Sequence, residues 1–297
     1  MNQHIKVICM MLVIIMLACL ATVWAKLVLQ DVPPFTFVWL MVLFGIISLT
    51  VYAFVIKRER LPIGLGIRCW FYLIATGILY YCVYRYIYMV SLEKIDATTH
   101  VYIINFTGLV TMGLSSLLLR EFPTTIQVLG AVIALLGLWL YFDQVPVGGE
   151  LQGILLLLIG VLCLALTNIF IRLLGRISAT RLSSTMVAVL TIWIGGLPLL
   201  VLGLIIDFPP AVTQLNSWLV IVFNGIVVLA GSMVVWSHAL RTLRSYEASI
   251  LASSGVIFTA LFSIPILGDR LETHEIAGIA VMLVGLTLTQ IRRSLRR

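Results

Sequence analysis

About three quarters of this 297-residue chain lies in ten apolar runs, each long enough to cross a bilayer. A helix needs about 20 apolar residues to span roughly 30 Å of hydrocarbon. The runs cover about 5–25, 34–56, 69–92, 97–119, 124–142, 151–173, 183–206, 217–240, 246–267 and 274–291. Lipid offers no water to backbone N–H and C=O groups, so such runs become helices that satisfy those groups internally. Composition excludes a soluble core as the alternative. The chain is 62% hydrophobic and 10% charged, against about 45–50% and about 25% in soluble domains.

The breaks between runs have loop chemistry. Asp31-Val32-Pro33-Pro34, Lys57 to Pro62, Phe142 to Glu150 and Asp207 to Pro210 combine charge or turn residues with proline, which stops helices. They leave no room for a soluble domain. An even number of spans places both termini on one side, and the charges choose which. Lys6, Lys57, Arg58, Arg60, Arg68, Arg120, Arg172, Arg176, Arg181, Arg241, Arg244 and the terminal arginines collect on that face, with only Lys26, Lys94 and Arg270 opposite. The positive-inside rule makes both termini cytoplasmic. The net charge of +7 is therefore a topology signal rather than a nucleic-acid footprint, and the terminal arginines are expected to rest on anionic lipid.

The chain also repeats itself. A shift of 148 residues, without a gap, overlays Leu92 on Leu240, Thr111 on Thr259, Ser115 on Ser263, Leu119 on Leu267, Thr125 on Thr273, Gly130 on Gly278 and Gly137 on Gly285. The expected units are 1–147 and 148–297, five spans each. Five is odd, so the second unit enters the membrane from the opposite face. The expected fold is an all-α integral membrane protein of ten transmembrane helices in two inverted five-helix repeats, an arrangement that supports alternating access. Gly130, Ala134 and Gly137 stand at helical spacing and suit close helix contact. Residues 7–25 exceed a signal-peptide core, and Lys26 stands where a cleavage site would, so this segment reads as the first span. The five cysteines all fall in spans and are expected to pack as small apolar groups.

The pattern that closes each half resembles the EamA-type family of the drug/metabolite transporter superfamily. It reads Leu118-Leu119-Arg120-Glu121-Phe122-Pro123 with Gly130 and Gly137, then Leu267-Gly268-Asp269-Arg270-Leu271 with Gly278 and Gly285. Trp24-Ala25-Lys26-Leu27 and Ser245-Tyr246-Glu247-Ala248-Ser249 also look like the family, and the likeness covers the whole chain. Family members often carry proline in the fourth and ninth spans, where Gly108 and Val256 stand here. The sequence thus gives no proline-made helix break at either point. The resemblance implies an inner-membrane exporter or exchanger of small organic solutes, with a central cavity lined by spans 1–4 and 6–9.

Within the spans, Arg85 is the costly residue. A mid-membrane charge costs about 2.5–3.5 kcal/mol on insertion scales. Tyr80, Tyr81, Tyr84, Arg85 and Tyr88 share a helical stripe. Tyrosine faces hold a cation, and a guanidinium grips a carboxylate through two parallel hydrogen bonds. One reading makes Arg85 an anion anchor, with Tyr81, Tyr84 and Tyr88 beside it. The competing reading is an arginine that snorkels to the outer interface. Asn105, Asn168, Asn224 and His238 could bind solute or bridge helices, and His238 could carry a proton. Trp24 and Lys26 are interfacial anchors unless the first span tilts Trp24 into the cavity. Trp236 follows Tyr88 by 148 residues, giving paired aromatic positions.

Enzyme motifs are incomplete. The sequence contains no Gly-Lys dipeptide for a phosphate loop, His274-Glu275 is followed by Gly278 in place of a second zinc ligand, and no Gly-x-Ser-x-Gly elbow occurs. No cofactor or metal is expected. The sequence reads as a secondary carrier of small metabolites, such as amino acids or related carboxylates, coupled to a proton or counter-solute. A flippase for an amphipathic lipid, a non-transporting membrane subunit and a homodimer stay open.

Overall fold

The computed structural model describes residues 3–62, 64–118, 120, 122–142, 147–178, 182–235 and 251–290. Among these residues every regular element is helical. In order they are α1 (Gln3–Val28), α2 (Pro34–Ile56), α3 (Ile67–Lys94), α4 (Ala97–Leu118), α5 (Thr125–Tyr141), α6 (Gly148–Ser178), α7 (Ser184–Ile206), α8 (Leu215–Val235), α9 (Leu251–Leu267) and α10 (Thr273–Gln290). Seven, α1 to α4 and α6 to α8, are long and apolar enough to cross a membrane; α5, α9 and α10 are apolar but shorter. All ten lie on the runs expected from the sequence, with edges moved by a few residues. The end of the eighth run and the start of the ninth fall outside the described residues.

Local chemistry explains the ends. Pro34 opens α2, where its missing N–H is no loss. Ser183 Oγ accepts from Met186 N at 3.0 Å to cap α7. Thr124 and Gln127 form a reciprocal capping box on α5. Gly268 closes α9 in the left-handed conformation with φ 75°. Its counterpart 148 residues earlier, Arg120, adopts the same conformation with φ 53°. A side chain there clashes with the following carbonyl, costing roughly 1–2 kcal/mol.

Helices α5 and α10 pack antiparallel, with backbone against backbone. A Cβ placed on Gly130 would lie 2.7 Å from both Gly285 O and Thr289 N. One on Gly137 would lie 2.9 Å from Gly278 O and 2.6 Å from Met282 N. One on Gly278 would lie 2.7 Å from Tyr141 Cα. Exchanging each residue for its partner 148 positions away maps this list onto itself: Gly130 with Thr289 becomes Gly278 with Tyr141. The pair therefore obeys a local two-fold axis, and small residues bring it close enough for dispersion to act along its length.

The same exchange recurs in the middle of the bundle. Part of α3, Ile78–Tyr84, and part of α8, Asn224–Gly231, are π-helical, at overlapping repeat positions. Gly77 and Gly225, also 148 apart, seat these helices. A Cβ on Gly77 would lie 2.7 Å from Thr191 O of α7, and one on Gly225 would lie 2.6 Å from Met41 O of α2. Acidic residues at equivalent ends of α2 and α7 tie the halves: Trp39 Nε1 donates to Asp207 Oδ2 at 2.7 Å, and Ser183 donates to Glu59.

Helices α4 and α9 break without proline. In α4 the α-helical pattern lapses at Asn105–Phe106, and in α9 at Ser254, 148 residues after Phe106. Asn105 Nδ2 donates to Val101 O at 2.9 Å, Thr107 Oγ1 to Ile104 O at 2.6 Å, and Ser254 Oγ to Leu251 O at 2.6 Å. Side chains that engage the carbonyls of the preceding turn loosen the backbone ladder. The missing prolines at Gly108 and Val256 are thus no barrier to a break, which here comes from local polar side chains.

Candidate functional site

The α3 stripe forms a compact aromatic cluster inside the bundle. Tyr80 and Tyr84 stack with centroids 5.5 Å apart, Tyr80 meets Tyr81 edge-on at 4.9 Å, and Tyr84 meets Tyr88 edge-on at 5.8 Å. Arg85 sits among them. Its Nη2 donates to Tyr80 Oη at 2.6 Å, and its guanidinium lies 4.8 Å from the Tyr80 ring centre and 5.8 Å from that of Tyr84. Only 7% of Arg85 is exposed, and its Nε has no hydrogen-bond partner. The residue stands nine positions before the end of α3 at Lys94, about 13 Å at 1.5 Å per residue. The tyrosine rings enclose the guanidinium.

This π-helical turn determines which residues face inward. It inserts extra backbone into the turn that carries Tyr80, Tyr81 and Tyr84, and such insertions re-aim side chains at functional positions. Tyr81, Tyr84 and Arg85 are buried while Tyr86 is exposed. Among the described residues no carboxylate lies within ion-pair distance of Arg85. A guanidinium stays charged at any physiological pH, and an uncompensated buried charge costs about several kcal/mol.

Neighbouring helices extend the cluster. Thr22 of α1 shares a 2.9 Å hydrogen bond with Tyr88 Oη. His100 of α4 lies edge-on to the Tyr88 ring, with centroids 4.3 Å apart. The His100 Nε2 is 3.1 Å from Tyr88 O and 3.0 Å from Ser91 Oγ, while Nδ1 has no partner. Gly160 of α6 sits against this stretch of α3, where a Cβ would meet Tyr84 Cδ2 at 3.5 Å. Trp24, half-buried, packs edge-on against Phe223 of α8 at 5.7 Å, and so joins the two halves from the side of α1 away from Thr22.

The structure does not bring every candidate here. Asn105 is spent on the break in α4, and Asn224 donates to Val220 O at 3.0 Å and Ala21 O at 3.4 Å, a bridge between α8 and α1. Asn168 is exposed on α6. Trp236 and His238 lie outside the described residues. Thr22, Ser91 and His100 were absent from the sequence-derived candidates. A titratable residue inside an apolar run was the available signal for His100, whereas Thr22 joins Tyr88 only through packing across 66 residues of chain.

A second polar group sits where the same helices end. Lys26 donates to Leu92 O at 3.1 Å and to Ile95 O, capping the carbonyls that close α3. Thr98 shares a 3.1 Å bond with Ser263, and Thr99 a 2.8 Å bond with Tyr141. Asp269 in the α9–α10 turn belongs to this group. Burial, then the nearby Asp96 carboxylate, hold its carboxyl above the usual range, although Ser263 and Lys26 oppose the shift.

A chain of apolar helices with a buried arginine in a tyrosine cage is a multi-pass membrane protein built around a polar interior. The EamA-like transporter family matches residues 5–142 and again 151–291, so the chain belongs to the EamA-like transporter family and carries two copies of its unit. It is 24% identical over 196 residues to an "Uncharacterized transporter in sor 3'region" of Acidianus ambivalens, covering 64% of this chain and 72% of that protein. A solved structure described only as "Crystal structure of protein" shares the fold with a TM-score of 0.65 at 16% identity, over 94% of both chains. The protein is thus a membrane transporter.

Proposed function

We propose that this transporter is a secondary carrier that moves a small carboxylate-bearing metabolite, an amino acid or related acid, across the inner membrane by alternating access. Ten spans in two inverted repeats, 1–147 and 148–297, form the carrier, with both termini cytoplasmic. The two-fold exchange between α5 and α10 and the paired π-helical segments support the inverted arrangement. The observation that carries the solute class is Arg85, charged, enclosed by Tyr80 and Tyr84, and without a carboxylate partner among the described residues. Tyr81, Tyr84 and Tyr88 line the anchor, and Trp24, Asn105, Asn168, Trp236 and His238 are the further candidates for solute binding. A proton or counter-solute supplies the gradient.

The test compares metabolites inside and outside cells that lack or overproduce the protein, followed by flux of the enriched compounds in vesicles holding only this protein. Carboxylates should dominate the difference and move in the vesicles. Enrichment confined to cationic or neutral compounds would remove the anion anchor, and absence of flux by the purified protein would remove the carrier.

A further inference from the structure

The carrier reading leaves its coupling group unassigned among the described residues, and the interior holds a titratable side chain that solute anchoring does not use. His100 is 0% exposed. Tyr88 O is an acceptor only, so Nε2 carries the hydrogen and donates to it at 3.1 Å; Ser91 Oγ, 3.0 Å away, itself donates to the same carbonyl at 3.0 Å. That fixes the neutral tautomer and leaves Nδ1 as a bare acceptor. Nδ1 is buried without a partner, which costs about 1–3 kcal/mol in a static core. A structural histidine would use both nitrogens, whereas this ring presents a proton-accepting lone pair one residue contact from the anchor. The contact is its 4.3 Å edge-on packing with Tyr88, whose hydroxyl bonds Thr22 and whose ring meets Tyr84 beside Arg85.

Surrounding charges set when Nδ1 can be protonated. From α1, Lys26 faces His100 at long range, and Cys19 approaches Tyr88. From α3 come Tyr88 and Ser91. Helix α9 carries no titratable side chain between Gly255 and Leu267, and of the described titratable side chains of α6, Glu150, Cys163 and Arg172, none bonds the ring. Among the described residues no carboxylate bonds the ring, so a partner for the protonated ring has to come from water admitted when the helices open. The break of α4 at Asn105–Phe106 lies five residues on and gives the His100 turn a place to move.

We infer that His100 is the proton-binding site of the transport cycle, taking a proton from water onto Nδ1 when its helix opens and releasing it when the ring is re-enclosed against Tyr88. This inference rests on the carrier reading. Occlusion of the solute is then linked to loss of the proton, and a pH gradient drives net movement through that linkage.

Two measurements test it. Ring-¹³C-histidine NMR of the whole protein in nanodiscs follows His100, assigned by its loss in His100→Gln or by its survival when His4, His238 and His274 are all replaced by Gln. The signal should titrate between pH 5 and 8; a signal that stays neutral throughout overturns the proposal whatever the solute is. Vesicles are then given a mixture of ¹⁴C-labelled amino acids and monocarboxylates. Wild type should accumulate label at least fivefold under an imposed pH gradient, and His100→Gln should lose that gradient-driven accumulation while exchange of label stays measurable. Retained accumulation in His100→Gln overturns the proton role. If wild type neither exchanges nor accumulates label, the carrier reading fails instead, and the NMR result still decides whether His100 binds a proton.

Discussion

At the scale of single residues, Arg85 separates charge from geometry. Arg85→Lys keeps the cation and loses the planar fork. One charge-assisted hydrogen bond is worth about 1.5–3 kcal/mol, so apparent affinity for a carboxylate should fall roughly tenfold or more, read as KM in vesicle flux. Arg85→Gln should abolish transport of the anion while the protein still inserts. Unchanged flux in both would return the arginine to a structural role. Arg120 gives a stability prediction. It holds the left-handed conformation that Gly268 holds in the other half, so Arg120→Gly should raise the thermal midpoint by an amount equivalent to about 1 kcal/mol. Asp269 gives a pH dependence. Its carboxyl is held above the usual range by burial first, so the folded state binds a proton that the unfolded state releases. Stability should therefore decline as pH rises from the ordinary carboxylate value through the raised one. Asp269→Asn should flatten that decline in melting scans from pH 3.5 to 7. The arginine and its tyrosines were legible because both signals are local, a charge in an apolar run and a helical spacing. Thr22 and His100 reach Tyr88 from other helices, and nothing in the order of residues announces those contacts.

At the scale of elements, the glycine faces are the sharpest constraint. Overpacking a tight contact costs about 1–3 kcal/mol. Gly137→Leu must push backbone away from Met282 N and Gly278 O, and should lower stability by at least that much. Gly285→Leu, its partner 148 residues on, should cost a similar amount. Gly113, which meets nothing within 4 Å, should accept alanine with little change in the same melting assay. The spacing of Gly130 and Gly137 made this face legible in advance. The π-helical turns were not, because an apolar run looks the same whether its backbone closes on the fourth or fifth residue. The helix breaks were not legible for a related reason. Proline is the conspicuous breaker, yet Asn105, Thr107 and Ser254 do the work through bonds to their own backbone.

At the scale of the whole molecule, charge asymmetry and the odd span count predict orientation. Reporters fused after Arg58 and after Arg297 should read cytoplasmic, and those after Pro146 and Pro209 external. An external C-terminus would refute ten spans in inverted repeats. The two-fold contact between α5 and α10 has a further meaning for assembly. Each half offers the other the same surface, which makes the contact isologous, the type that joins identical subunits in closed dimers. The covalent link between the halves is then a source of effective concentration rather than of specificity. Each half thus carries a face that fits the matching face of a second copy of its own unit.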